Sequence, residues 1–443
     1  MLNRLLFGRI DNSSLLIFRM FFGFLVACEC FGAIATGWVK RNLITPQYTF
    51  PFIDFEWIQP LPGIGMYCYF TVMGCLGVLI AIGYKYRFSC IAFTILWSGA
   101  YLMQKTAYNN HYYLLILISF LMCFFPAEKN YSVDVKQHPE IRQNSMYGYV
   151  KWVVVLQLFI VYTYASFAKL YGDWLDFGVI KLLMSTKETY FLVGNLLQNT
   201  WLHQVIGIMG ILFDLLIIPA LLWKPSRKIA FVCGVFFHLF NSFIFQIGIF
   251  PYLALAFNVF FFDSKTIRKL FFKNRTREVL NSAPEKVHKR LVIIGFGIYF
   301  LVQLLLPIRH YFIKDNVLWT EEGHRMSWRM MLRSRQGVGQ FTVVDSIAKT
   351  EKIINIKDYL TEKQQRKVVT YPDFAWQFAR YLKRDFSKEG ENTISVYLIN
   401  SKISINGSPY VPFIDATVDL ANTPWKPFSH HLWILPSQLH TKP

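Results

Sequence analysis

Long apolar runs recur through the first two-thirds of this chain, and no other feature constrains its fold as much. A helix needs about 20 consecutive apolar residues to cross the hydrocarbon core. Backbone polar groups find no water there, so only helices and closed barrels can span it. Nine runs qualify as candidate spans: about 14–35, 64–82, 87–104, 111–126, 151–170, 205–223, 229–247, 250–263 and 290–307. Only Gly248, Ile249 and the helix-breaking Pro251 separate the seventh run from the eighth, which suggests a broken or re-entrant helix and a total of eight to nine spans. The first run follows Arg4 and Arg9 and contains Ala33-Ile34-Ala35, the outline of a signal peptide. Its length and the spans behind it favour a retained anchor.

The net charge is +19, with charged residues only 16% of the chain. In a membrane protein such an excess belongs to positive-inside loops and anionic headgroups, not to nucleic acid. With the N-terminus in the cytoplasm, the inner segments hold Lys85 and Arg87, then Lys129, Lys136 and Arg142, then Lys224, Arg227 and Lys228. The outer loops before the last span hold only Lys40, Arg41, Lys105, Lys181 and Lys187. The charged stretch from Asp263 to Arg290 then reads as a cytoplasmic linker at anionic lipid. Everything after Pro307 lies outside, in the periplasm if the membrane is a bacterial inner membrane and in the ER lumen if the cell is eukaryotic.

Composition changes after Arg309. Phe341–Val344, Thr393–Asn400 and Lys402–Asn406 alternate as strands do, Ile405–Pro409 signals a turn, and Phe374–Phe386 reads as an amphipathic helix. The expected architecture is a polytopic α-helical membrane domain over residues 1–310 and an extramembrane β-rich module over 311–443. The seven cysteines sit in or near apolar runs without zinc-type spacing, and read as small core residues.

Three polar clusters fall at one depth, near the outer surface. Lys169 ends the fifth span, seven residues (two helical turns) after Tyr162 and with Ser166 between them. Asn110 and His111 begin the fourth, and His238 with Asn241 and Ser242 lies in the outer half of the seventh. Intramembrane polar groups are costly and mark sites by default. Pattern alone leaves other readings open: a snorkelling lysine, an interfacial histidine beside Tyr112 and Tyr113, and interhelical hydrogen bonds at His238 and Asn241. A metal site is not expected. His203 and Asp214 add little to the two histidines.

Several motifs resemble vitamin K-dependent gamma-glutamyl carboxylase in collinear order: Asn109-Asn110-His111-Tyr112-Tyr113-Leu114, Asn130-Tyr131-Ser132-Val133-Asp134, and Ala168-Lys169-Leu170-Tyr171-Gly172-Asp173-Trp174. His238-Leu239-Phe240-Asn241-Ser242, Ile247–Tyr252 and Ser327-Trp328-Arg329-Met330-Met331 with Ser334-Arg335 continue the likeness. The resemblance implies an enzyme, a carbon–carbon lyase or carboxylase with epoxidase activity. It would oxidise a vitamin K hydroquinone, or menaquinol, with O2 to the epoxide. The strong base formed would remove a glutamate γ-hydrogen so that CO2 can add. It implies Lys169 as the initiating base, His111 as a second catalytic residue, and Asn110, Tyr162, His238 and Asn241 around the quinone. Trp328 and Arg335 would belong to the glutamate-substrate region. The implied partners are membrane lipid, a lipid-soluble quinol and a glutamate-containing protein or peptide on the outer side. Free lysine, with a pKa of ~10.4, is a poor base at neutral pH, and burial in an apolar wall disfavours the ammonium form.

Two departures stand out. The extended lumenal region of the animal enzymes is largely missing, so propeptide docking is not expected to transfer. The family carries aromatic residues just before Ser327, where this chain reads Trp319-Thr320-Glu321-Glu322-Gly323-His324-Arg325-Met326, so recognition of a glutamate is the least secure transfer. An epoxidase without carboxylase activity is therefore one alternative, and a non-enzymatic membrane scaffold another.

Overall fold

The computed structural model describes residues 2–272, 287–387 and 393–437. The chain forms two compact units interleaved in sequence. One comprises Met1–Thr45, Pro51–Thr163 and Phe213–Gln303; the other comprises Pro46–Phe50, Tyr164–Leu212 and Leu304–Pro443.

The principal helices are α1 (Ser13–Ala35), α2 (Gly65–Ile82), α3 (Tyr86–Met103), α4 (Asn110–Met122), α5 (Gly148–Phe167), α6 (Thr200–Leu222), α7 (Arg227–Phe245), α8 (Phe250–Ala256), α9 (Lys289–Ile308) and α10 (Pro372–Phe386). Each expected span falls on one of the first nine. Among the described residues six are long and apolar enough to cross a membrane: α1, α2, α5, α6, α7 and α9 with its continuation to Phe312. The others fall short for different reasons. α3 carries Arg87, Ser89, Thr94 and Ser98. α4 has 13 residues, a rise of about 20 Å against a core of about 30 Å. α8 is a seven-residue piece that tightens into a 3₁₀ turn over Phe257–Phe260. The expected break before Pro251 is real: Gln246 and Gly248 both adopt positive φ between α7 and α8.

In the first unit α1 and α2 cross with their backbones nearly touching. A Cβ at Gly77 would lie 2.7 Å from the backbone nitrogen of Ala27, and one at Gly23 would lie 2.6 Å from the carbonyl oxygen of Gly77. Small residues allow such an approach where lipid supplies no hydrophobic drive. The Asn130–Asp134 motif proves structural. Fully buried Arg19 donates to the carbonyls of Ala127 (2.7 Å), Asn130 (3.3 Å) and Tyr131 (2.6 Å). The Asp134 carboxylate accepts from the backbone N–H groups of Lys85 and Tyr86, at 2.7 and 2.9 Å, where α3 begins. A carboxylate there satisfies orphan amides and complements the helix dipole. A short antiparallel ladder joins β1 (Arg9–Asp11) to β2 (Ser145–Tyr147). Of the expected linker, Ser264–Phe271 is a helix whose Arg268 pairs with Asp11, and residues 273–286 lie outside the described residues.

The second unit holds a four-stranded antiparallel sheet in the order β4–β3–β5–β6, built from β3 (Arg335–Asp345), β4 (Thr350–Ile354), β5 (Ile394–Ile405) and β6 (Val411–Pro412). Its inner face carries Phe341, Val343, Val396 and Leu398, all buried. These meet α10, where Phe378 packs edge-on against Phe341 at 5.0 Å. The two strands expected at Thr393–Asn400 and Lys402–Asn406 form one strand, β5. Asn400 takes a positive φ opposite the irregularity between Val338 and Gln340, so the strand kinks there without ending. The expected turn is present, with Asn406 and Gly407 both at positive φ.

Candidate functional site

Asn109 sets the start of α4 by accepting the backbone N–H of Tyr112 on its side chain at 2.7 Å, the action of an N-cap. Asn110 is then the first helical residue, buried, with Oδ1 accepting from the Tyr108 hydroxyl at 2.8 Å. The His111 ring stacks on Phe250, centroids 3.9 Å apart and planes 24° from parallel. Phe250 presents its other contact edge-on to His238 at 6.2 Å. The Tyr162 hydroxyl lies 3.0 Å from His238 Nε2. Four residues from four different helices thus form one continuous array: His111, Phe250, His238 and Tyr162. His238 is buried, and among the described residues its Nδ1 has no hydrogen-bond partner. Beside this array Leu158, Tyr162, Ile218, His238, Phe257 and Asn258 line a cavity of about 20 Å³. That holds a water molecule but not a bicyclic ring, so a quinone would have to displace its apolar walls. Asn241 stands differently: it is half-buried, and its amide donates to Phe237 of its own helix at 2.9 Å.

Lys169 belongs to the second unit. α5 ends at Phe167, because Lys169 N–H bonds to Ser166 and Leu170 N–H to Phe167, each three residues back. Lys169 therefore sits in the closing turn, and the two-turn count that aligned it with Tyr162 does not hold at this end. Its side chain is only 7% exposed. Nζ donates to the Ala165 carbonyl at 3.2 Å and lies 5.4 Å from the centre of the Trp174 ring. Trp174 is fixed in turn by its indole N–H on the Gly207 carbonyl at 3.2 Å, and the Ser166 hydroxyl donates to Ile211 at 3.0 Å. The Lys169–Trp174 motif also reaches the segments flanking β3 and β5: Tyr171 O–H donates to the Leu332 carbonyl, and Asn406 Nδ2 donates to Asp173 at 2.8 Å.

Trp328 is fully buried. Arg335 donates to the carbonyls of Leu318 (2.6 Å), Trp319 (3.0 Å) and Thr370 (2.9 and 2.6 Å), and to Glu321 at 3.3 Å. Such a guanidinium organises backbone. Arg333 grips the same Glu321 carboxylate with two donors. His324 is buried nearby, and burial followed by the fields of Arg333, Arg329, Arg325 and Arg335 holds it well below the usual imidazole range, hence neutral. Its Nε2 lacks a partner among the described residues. Glu322 accepts from the backbone N–H of His431 at 2.9 Å and from His431 Nδ1 at 2.7 Å. His431 Nε2 accepts from Lys426 N–H at 3.0 Å, so the proton is on Nδ1. His203 engages the Leu197 carbonyl at 2.7 Å. Among the described residues no group of three or more His, Cys, Asp or Glu side chains gathers where it could hold a metal ion.

Two family models match the chain, the HTTM domain over residues 7–265 and the vitamin K-dependent gamma-carboxylase lumenal domain over residues 288–440. The chain belongs to the gamma-carboxylase family. No solved structure matches it. Membership supports a carboxylase-related function for this multi-pass protein and vitamin K-dependent chemistry. The contacts sort the motifs. Within this gamma-carboxylase relative, Asn130–Asp134 closes a helix start, whereas Asn109–Tyr112 and His238 place polar atoms inside an aromatic array. One residue at that array was not singled out from the sequence. Glu29, in the middle of apolar α1, accepts the Tyr112 hydroxyl at 2.7 Å. The signal was visible as an acidic residue within a membrane-length apolar run.

Proposed function

We propose that this protein epoxidises a vitamin K-type quinol with O2 and couples that reaction to γ-carboxylation of glutamate in a protein or peptide on the outer side of the membrane. When bound, the quinol with O2 supplies the base strong enough to remove a glutamate γ-hydrogen. Lys169 Nζ takes the initiating proton. Asn110 and His111 orient the ring oxygen by hydrogen bonds, in the manner of donors aimed at developing negative charge. Tyr162 and His238 act together, since the phenol holds the imidazole and leaves Nδ1 for an incoming oxygen. The surrounding aromatic side chains exclude water, which would quench a strong base or a carbanion.

The observation that carries this reading is the burial of Lys169, whose Nζ reaches the Ala165 carbonyl and lies over the Trp174 ring. His238 Nδ1, which meets no hydrogen-bond partner among the described residues, offers a polar atom to the oxygen of a quinone that displaces the walls of the small cavity beside it. The test is incubation of the purified protein in nanodiscs with reduced vitamin K or menaquinol, O2, labelled bicarbonate and a Glu-rich peptide. The expected products are the quinone epoxide by mass and label in the peptide.

A second reading, quinol epoxidation without carboxylation, is favoured by Arg335, whose donors are directed at protein acceptors. Epoxide with no label in the peptide would select it. A membrane scaffold without turnover would give neither product.

A further inference from the structure

A carboxyl group inside an apolar span is costly and needs a reason to be there. The Glu29 carboxyl accepts from the Tyr112 hydroxyl at 2.7 Å and lies against the backbone of the Gly248–Ile249 turn. Each of these two contacts adjoins a member of the aromatic array in sequence. Tyr112 follows His111, and Ile249 precedes Phe250. The loop backbone passes directly against the carboxyl, since a Cβ on Gly248 would lie 3.6 Å from Oε2. That loop turns sharply, with Gln246 and Gly248 at positive φ on the way from α7 to α8. The Tyr112 ring is held from the other side, edge-on to Trp97 at 5.1 Å and to Trp38 at 6.1 Å.

We infer that Glu29 is a positioning residue: by bonding Tyr112 of α4 and packing against the α7–α8 loop at Gly248, it fixes the stack of His111 on Phe250 and, through Phe250, the edge contact with His238. A carboxyl group suits this task because one oxygen holds the Tyr112 hydroxyl while the other faces the loop backbone, whereas an amide offers one acceptor and one donor group. The catalytic part of this inference rests on the function proposed above; the positional part does not.

The test uses the full chain in nanodiscs with ¹³C-labelled histidine, the His111 signal being assigned by its loss in His111→Gln. Stacked at 3.9 Å on Phe250, the His111 ring carries an upfield ring-current shift. Glu29→Leu is expected to remove most of that shift, and Glu29→Gln and Tyr112→Phe part of it. The Glu29→Gln/Tyr112→Phe double variant should be no worse than Glu29→Leu. In the epoxidation assay the same variants should lose kcat, roughly tenfold to a hundredfold for Glu29→Leu, with KM for the quinol little changed, as expected for lost alignment. An unmoved His111 signal in both Glu29→Leu and Tyr112→Phe overturns the inference, even if activity falls. If the wild-type protein forms no epoxide, the proposed function fails while the histidine signal still decides the role of Glu29.

Discussion

The Tyr162 hydroxyl and His238 Nε2 lie 3.0 Å apart, and the other nitrogen of that imidazole meets no hydrogen-bond partner among the described residues. One side of the ring is thus fixed by a hydrogen bond. Removing the phenol should loosen the ring without emptying its place. Tyr162→Phe is expected to lower kcat for epoxidation about tenfold, the worth of one hydrogen bond of ~1 to 2 kcal/mol. His238→Ala should cost more, because it removes the free Nδ1 as well. Steady-state kinetics on both variants check the order; equal activity of His238→Ala and wild type would remove the histidine from the site.

The α1–α2 crossing makes a stability prediction that is independent of function. At Gly77 an added methyl meets the backbone nitrogen of Ala27, which cannot rotate away. Gly77→Ala should destabilise the helical unit by about 1–3 kcal/mol, the usual cost of overpacking. Gly32, on the same α1, has nothing within 4 Å of the corresponding position, and Gly32→Ala should leave the melting temperature unchanged or slightly raised. Thermal denaturation followed in detergent compares the two.

His324 predicts an acid limit. Its folded-state affinity for a proton is depressed by burial and by four arginines, while in the unfolded chain it titrates near 6.5. Below about pH 6.5 the unfolded state therefore binds a proton that the folded state refuses, so stability is greatest above that pH and falls as pH drops below it. Melting temperatures measured from pH 7.5 down to 5 should decline in the wild type and decline less steeply in His324→Gln. Identical slopes would remove His324 as a contributor.

The long helices were legible because hydropathy over about 20 residues is a strong, local signal, and α1, α2, α5, α6, α7 and α9 each answer to it. Other features were not, for physical reasons. The end of α5 at Phe167 depends on which carbonyl the last amides choose, and apolar residues on both sides hide that choice. The continuity of β5 through Asn400 was masked by a polar residue that sits in a kink. The partners of Arg335 come from Leu318, Trp319 and Thr370, contacts that no sequence period encodes. The stacking of His111 on Phe250 is of the same kind. Glu29 was legible in principle, as the acid in an otherwise apolar run, but Tyr112 and the loop at Gly248 were needed to give it a task.

The central claim is that buried Lys169 initiates quinol oxidation, and one measurement meets it directly. Lys169→Ala, reconstituted in nanodiscs with reduced vitamin K and O2, should form no detectable epoxide by mass spectrometry. A small amine added to the buffer should restore part of the activity by standing in for Nζ. Undiminished epoxide formation by Lys169→Ala would contradict the account.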